Sequence, residues 1–317
     1  MISFVSFLVG FSLFIFFTSL TVFLLWEVKD YRRVTVLQEG SPGGKTFLLI
    51  AGFNQPVTSW QFLLDDQVFD PKDRILALPR RLNEVIRGKH LFYPLGWIGF
   101  KAQTEDAIGC IKALTKSGEI PSQFWVIGHS LGASIAQNMA EALPKAVIGL
   151  TLLCPPPNKR FSLLTHGQFW LKGGLLALVP ATLGLLRITW GFKPWQVSIR
   201  GLYTGPKVDR ATLQAYQDSL VADSTAAFIS LLFFYKGGAL RRAINNGYAG
   251  QTHVVLCPGD NIFRAEDIRA DRLLEPERIQ YELSSTTPHC IGFETNPEIR
   301  GLNSQLLRLA IGHSSHP

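Results

Sequence analysis

Ser130 stands between Gly128 and Gly132 in the stretch FWVIGHSLGASIAQNMAEAL, Phe124 to Leu143. An apolar run ends there and a helix-like pattern begins at once. Glycine weakens strands and helices alike, so two glycines at this junction call for a geometric reason. A strand that reverses into a helix within a few residues needs a sharp, strained turn. Gly128 and Gly132 remove side chains where strand and helix would collide, and the serine at the tip is pushed into the open at the start of the helix. Negative charge developing on its oxygen is favoured there by the helix dipole and by free N–H groups. The chemistry suggested is nucleophilic attack. A serine alkoxide is not available at neutral pH, so a base must take the hydroxyl proton.

The segment resembles the nucleophile elbow of the α/β-hydrolase superfamily, in the Gly-His-Ser-x-Gly form common among lipases and esterases. The resemblance runs from about Val34 to the end of the chain. It implies the order nucleophile, acid, histidine. Of the seven histidines, His129 belongs to the elbow, and His90 and His166 precede the implied position. His253 lies inside an apolar strand pattern, and His313 and His316 lie in the tail. His289 remains, in TTPHCIGFETNP, where Pro297 opens a helix as it does after the family's histidine loop. The acid that holds the imidazole and stabilises its charged form is then Asp260, at the end of the run VVLCPGDNIF. Asp260 follows Gly259 directly, without the family's short spacer, while Ile262 and Phe263 supply the apolar pair that usually comes next. Glu266 and Asp267 are rivals for the role, and Pro-Gly-Asp-Asn is also a good turn in its own right. The alternative acid position, after the strand ending at Cys154, has no carboxylate before Arg160. The resemblance also implies two backbone donors for an oxyanion. These are Leu131, after the serine, and Phe53, in the loop IAGFN, where Ala51 replaces the usual histidine. No metal or organic cofactor is implied.

The elements that must hold these residues follow from the apolar pattern. Thr46–Ile50, SQFWVIG, AVIGLTLLCPPP, THVVLCPGD and RIQYELSS read as strands, and LFYPLGWIGF as a further candidate running into a Gly-rich loop. TEDAIGCIKALTKSGEI reads as a helix capped by Thr104 and stopped at Gly118, followed by helices over SLGASIAQNMAEAL and NPEIRGLNSQLLRLAIG. Strands alternate with helices, so the expected fold is α/β, with a mostly parallel sheet and helices on both faces. Residues 155–246 break the alternation and read as an inserted helical cap, which divides the core into 34–154 and 247–317. Gly173 to Leu186 within the cap is strongly apolar but short and broken by proline. It suits either a buried cap helix or a surface that dips into lipid.

Ile2 to Trp26 contains no charged residue. A helix over that stretch is about 37 Å long, enough to cross a hydrocarbon core of ~30 Å. No basic residue precedes it and no small-x-small site follows, so an uncleaved anchor is expected rather than a signal peptide. Lys29, Arg32 and Arg33 follow the span, which makes residues 1–33 an anchor with a basic flank and places the rest in the cytoplasm. The net charge of +7 fits attraction to an anionic membrane surface. No basic block is interleaved with aromatics, so no nucleic-acid partner is expected. None of the cysteines, Cys110, Cys154, Cys257 and Cys290, forms a C-x-x-C pair. Cys110 and Cys257 read as buried thiols, consistent with a reducing compartment.

The expected protein is a single-pass membrane serine hydrolase. It acts on a carboxylic ester or related acyl bond of a lipid-like or small acyl substrate, with Ser130, His289 and Asp260 as triad. An acyltransferase or thioesterase would use the same residues. A membrane scaffold that keeps the fold without the chemistry is the non-catalytic rival.

Overall fold

The computed structural model describes residues 34–52, 55, 57–78, 100–157, 248–260, 263–270, 278–294 and 296–312. Among these, seven strands form one sheet: β1 (Thr35–Gln38), β2 (Thr46–Ile50), β3 (Arg74–Ala77), β4 (Phe124–His129), β5 (Val147–Leu153), β6 (Gln251–Leu256) and β7 (Ile279–Glu282). Their order across the sheet is β1-β3-β2-β4-β5-β6-β7. β1 is antiparallel to β3, with an irregularity between Val36 and Gln38, and every other pairing is parallel. β2 is buried along its whole length, as a parallel strand covered on both faces must be. The edge strand β7 instead alternates between half-buried and exposed residues.

The α-helices among the described residues are α1 (Gln61–Asp65), α2 (Phe100–Lys116), α3 (Leu131–Ala142), α4 (Ala265–Arg269) and α5 (Pro297–Ala310). Two apolar cores follow from the period-2 alternation of the strands. On one face Leu48, Val126, Leu150 and Val254 pack with Ile111 of α2 and Met139 of α3. On the other Phe47, Leu49, Ile127 and Val255 pack with Leu63 of α1 and Leu307 of α5. α5 begins at Pro297 as expected, with the Asn296 side chain accepting from the N–H of Glu298 at 3.0 Å. Asp66 accepts two hydrogen bonds from Arg300 Nε, at 2.7 and 2.9 Å, and one from Ser304 Oγ at 3.0 Å, which ties the end of α1 to α5.

The connection that matters for function is the reversal of strand order. From β2 the chain moves outward to β3 and then returns to lay β4 on the other side of β2. A crevice opens at the carboxyl ends of neighbouring strands where the order reverses. Gly52 follows β2 and Ser130 follows β4, so both sit at that point, with Ile50 and Gly128 paired in register just before them.

Three expectations are corrected. α2 starts at Phe100, so Thr104 lies within the helix and is not its cap, although Gly118 stops it with φ of +77°. Cys257 is not a thiol: its sulfur is bonded to that of Cys154, with the Cα atoms 5.9 Å apart. Cys110 is in no disulfide but only half-buried. The short strands β1 and β3 and the helix α1 were not evident from the pattern. At four or five residues each they leave too few turns or alternations to stand out. The expected span 2–26, the candidate strand in LFYPLGWIGF and nearly all of the cap 155–246 lie outside the described residues. Among the described residues no helix is long and apolar enough to cross a membrane.

A Cβ added to Gly132 would come within 2.1 Å of the Ile50 carbonyl oxygen and 2.6 Å of that of Ala51. Gly109, in α2, has open space around it. Gly132→Ala is expected to destabilise the fold by about 3 kcal/mol or more, and Gly109→Ala to stabilise it by about 0.5–1 kcal/mol. Denaturant unfolding of both variants checks this, and equal midpoints would contradict the close packing at the turn.

Candidate active site

Ser130 has φ +52° and ψ −125°, a conformation that costs free energy for any residue with a Cβ. The turn is held from both sides. The Ser130 N–H donates to the Leu153 carbonyl at 2.8 Å, and the Ser130 carbonyl accepts from the Ala133 N–H at 2.9 Å. A Cβ on Gly128 would lie 2.4 Å from the Gly132 carbonyl oxygen and 2.6 Å from Ala133 Cα. Both glycines are therefore required by close approach: Gly128 lets α3 rest on the end of β4, and Gly132 lets it rest on the end of β2. The elbow expected from the spacing is present. Leu131 is the first residue of α3, where its N–H is one of the donors without a partner inside the helix. Phe53, the other expected donor, lies outside the described residues. Gly52 beside it is pressed against the serine, since a Cβ there would meet Ser130 Cβ at 2.9 Å.

Asp260 and His289 are brought together. His289 Nδ1 and Asp260 Oδ2 are 2.6 Å apart, with both side chains at most 1 % exposed. Asp260 is turned toward the ring by its own loop. Its N–H donates to the Cys257 carbonyl at 2.9 Å, and its Oδ1 accepts from the Phe263 N–H at 3.1 Å. The absent spacer before Asp260 has a structural counterpart in Gly259, where a Cβ would lie 2.5 Å from the Ser285 carbonyl oxygen and 2.6 Å from that of Thr287. The acid loop thus nests directly on the histidine loop. Buried Thr287 accepts from Asn303 Nδ2 of α5 at 2.7 Å, which anchors that loop from below. The Phe263 ring meets the His289 ring edge-on at 5.4 Å, so the expected apolar partner covers the imidazole. A proton on Nδ1 shared with Asp260 leaves Nε2 as the basic nitrogen. The rivals Glu266 and Asp267 fall in the first turn of α4, and Glu266 pairs with Arg269 at 3.6 Å. His253 lies in β6, 3 % exposed and stacked on Tyr281, as its apolar surroundings suggested.

His129 links the elbow to the histidine loop. Its Nε2 lies 2.8 Å from the His289 carbonyl oxygen, its Nδ1 lies 2.7 Å from Gln55 Oε1, and its ring centroid is 4.9 Å from that of His289. Burial, reinforced by the neighbouring His289, lowers its pKa from 6.5 to about 3. The ring is therefore neutral and carries one proton between two acceptors, so it donates to one of them at a time.

Two contributors were not foreseen. Gln55 carries no sequence signal beyond its place shortly after β2. The Cys154–Cys257 bridge had one: Leu-Cys-Pro occurs twice, each time at the end of a strand, and β5 and β6 are parallel neighbours. Cys154, His129 and His289 bring possible metal donors within 4.8 Å of one another. The Cys154 sulfur is bonded to Cys257 and His289 Nδ1 is engaged by Asp260, so this donor set does not suit an ion.

His129 also gives the fold a pH dependence. Held near 3 in the fold against 6.5 when exposed, it binds fewer protons folded than unfolded between those values. Its contribution is complete above about pH 6.5 and is lost as pH falls towards about 3, at up to about 1.4 kcal/mol per pH unit. Urea midpoints of the wild type are expected to drop more steeply from pH 6.5 to 4 than those of His129→Gln. Parallel profiles would refute a buried neutral ring.

Comparison with known proteins agrees with this geometry. The profile of the alpha/beta hydrolase family matches residues 47–293. No curated protein sequence matches the chain. Among solved structures, a hydrolase from Oleispira antarctica superposes with a TM-score of 0.61 at 15% identity, covering 89% of this chain and 97% of its own. The epoxide hydrolase of Bacillus megaterium gives a TM-score of 0.58 at 16% identity, covering 88% and 98%. A structure from work on carboxylesterases of Nitrososphaera gargenis gives 0.56 at 14% identity, covering 87% and 94%. At such identities these neighbours speak to the fold alone, whereas the profile match spans most of the sequence. With the elbow at the switch point of a mostly parallel sheet, the chain belongs to the alpha/beta hydrolase family.

Proposed function

We propose that the protein is a membrane-anchored serine hydrolase that cleaves a carboxylic ester or related acyl bond. The observation that carries this reading is a serine in a strained turn at a helix N-terminus, whose chain neighbour His129 lies 2.8 Å from the carbonyl oxygen of His289, itself paired with Asp260 at 2.6 Å. Ser130 Oγ attacks the acyl carbonyl while His289 Nε2 takes its proton. Asp260 keeps the imidazole oriented and stabilises its charged form. The N–H groups of Leu131 and Phe53 receive the oxyanion. The tetrahedral species collapses to an acyl-serine as His289 returns the proton to the departing alcohol. Water, deprotonated by the same histidine, then releases the acid and restores Ser130.

The substrate class rests on composition. An uncharged segment from Ile2 to Trp26 holds the domain at a bilayer, and the apolar stretch Gly173–Leu186 of the cap offers a greasy wall to an acyl chain. Both favour a lipid-like ester. The same acyl-serine accepts a thioester donor or an acceptor other than water, and product analysis separates these cases. The basic flank orients the catalytic domain to the cytoplasm. In that setting the Cys154–Cys257 bridge persists because its residues are 0 % and 2 % exposed, out of reach of cellular thiols. A membrane-impermeant maleimide that labels half-buried Cys110 in sealed cells would reverse the orientation.

A fluorophosphonate probe is expected to label the wild type but not Ser130→Ala. Asp260→Asn should fold normally and lower kcat about 10³- to 10⁴-fold through loss of the correct tautomer. A well-folded wild type that takes no label would leave a scaffold as the better account. In a series of p-nitrophenyl esters, kcat/KM is expected to rise with acyl length, and a short-chain optimum would count against a lipid substrate.

A further inference from the structure

The loop after β2 carries the proposed donor Phe53 and has Ala51 where the family usually has a bracing histidine. Gln55 follows in the same loop. It is 3 % exposed, and its amide reaches three separate segments of the chain. Oε1 accepts from the Gly52 N–H at 2.6 Å and faces His129 Nδ1 at 2.7 Å. Nε2 donates to Cys290 Sγ at 3.3 Å, across 235 positions of sequence. His129 in turn meets the His289 carbonyl oxygen at 2.8 Å. One amide therefore joins the loop after β2, the residue before Ser130 and the residue after His289.

The fit is close. A Cβ on Gly52 would lie 2.5 Å from Gln55 Oε1 and 2.9 Å from Ser130 Cβ. The amide and the serine thus press on the same backbone unit. Holding the Gly52 N–H fixes the peptide plane immediately before the one that carries the Phe53 N–H. Holding Cys290 fixes the residue whose neighbour must present Nε2 to the serine. We propose that Gln55 is a positioning residue that sets the oxyanion-side loop and the histidine loop at a common distance from Ser130. It acts through Gly52 and Cys290. Its effect on rate rests on the serine-hydrolase reading, whereas the tie between the loops does not.

Misplacing a reacting group by about 1 Å costs on the order of 10²-fold in rate. In the full chain, Gln55→Ala is expected to lower kcat on a p-nitrophenyl ester by about 10- to 100-fold, with KM within about twofold, per mole of Ser130 titratable by fluorophosphonate. Gln55→Glu keeps an oxygen for the Gly52 N–H but has no donor for Cys290, so it should recover only part of the loss. A residue that only supports the fold would lower the titratable fraction and leave kcat per site unchanged, and that result would overturn the proposal. A second readout needs no activity. Iodoacetamide modification of Cys290, 5 % exposed and followed by peptide mass spectrometry, should quicken at least about tenfold in Gln55→Ala once the tie to its sulfur is cut. An unchanged Cys290 rate would overturn the tie itself. A wild type that hydrolyses no ester removes the catalytic reading, and the Cys290 rate then decides the tie alone.

Discussion

The contact on which the rest depends is the close approach of three backbones at the end of β4. Strand β4, the first turn of α3 and the end of β2 meet where side chains would not fit. Gly128 and Gly132 supply the space, and the carbonyl oxygens of Ile50 and Gly132 fill it. That packing forces Ser130 to a positive φ, and the hydrogen bonds to Leu153 and Ala133 hold it there. The strain is local, and the surrounding sheet and helix over-determine it. The consequence is a hydroxyl beside a helix N-terminus, at the place where the strand order reverses.

The second constraint is electrostatic. Asp260 and His289 are almost wholly buried, where an uncompensated charge would be costly. The carboxylate is compensated by the ring at 2.6 Å and by the Phe263 N–H at 3.1 Å. Beside this pair His129 is kept neutral by the same burial, so the site holds two imidazoles with different tasks. One is paired with a carboxylate and suited to carry a proton. The other is stripped of charge and serves as a strut between the elbow and the histidine loop. Environment rather than residue type makes the distinction.

The disulfide belongs to the same architecture. Cys154 and Cys257 directly follow the neighbouring strands β5 and β6, and the Cys154 N–H donates to the Val255 carbonyl at 2.9 Å. Asp260 begins three residues beyond Cys257, with its N–H on the Cys257 carbonyl. The bridge therefore fixes the base of the loop that presents the acid. Among the described residues, the segments after β2, β4, β6 and β7 are linked by the contacts of Gln55 with His129 and Cys290 and of Asp260 with His289.

Much of this was present in the chain read by itself, because the relevant signals are local. The elbow needs Gly128, Ser130 and Gly132 within five positions, β2 shows as an unbroken apolar run, and Pro297 marks the start of α5 beside Asn296. Asp260 and His289 each sit just after a strand, in the order the resemblance implies, but Glu266 and Asp267 stayed rivals until the structure set Asp260 against His289. Short elements such as β1 and β3 left no such trace, since four residues hold too little periodicity. Only the tertiary structure decided that Cys257 is bonded rather than free, that Thr104 lies inside α2, that His129 carries no charge, and that Gln55 joins loops 235 positions apart. The physical reason is common to most of these. Pairing, burial and bracing arise between residues distant in sequence, and a residue's type does not reveal what the fold will set against it.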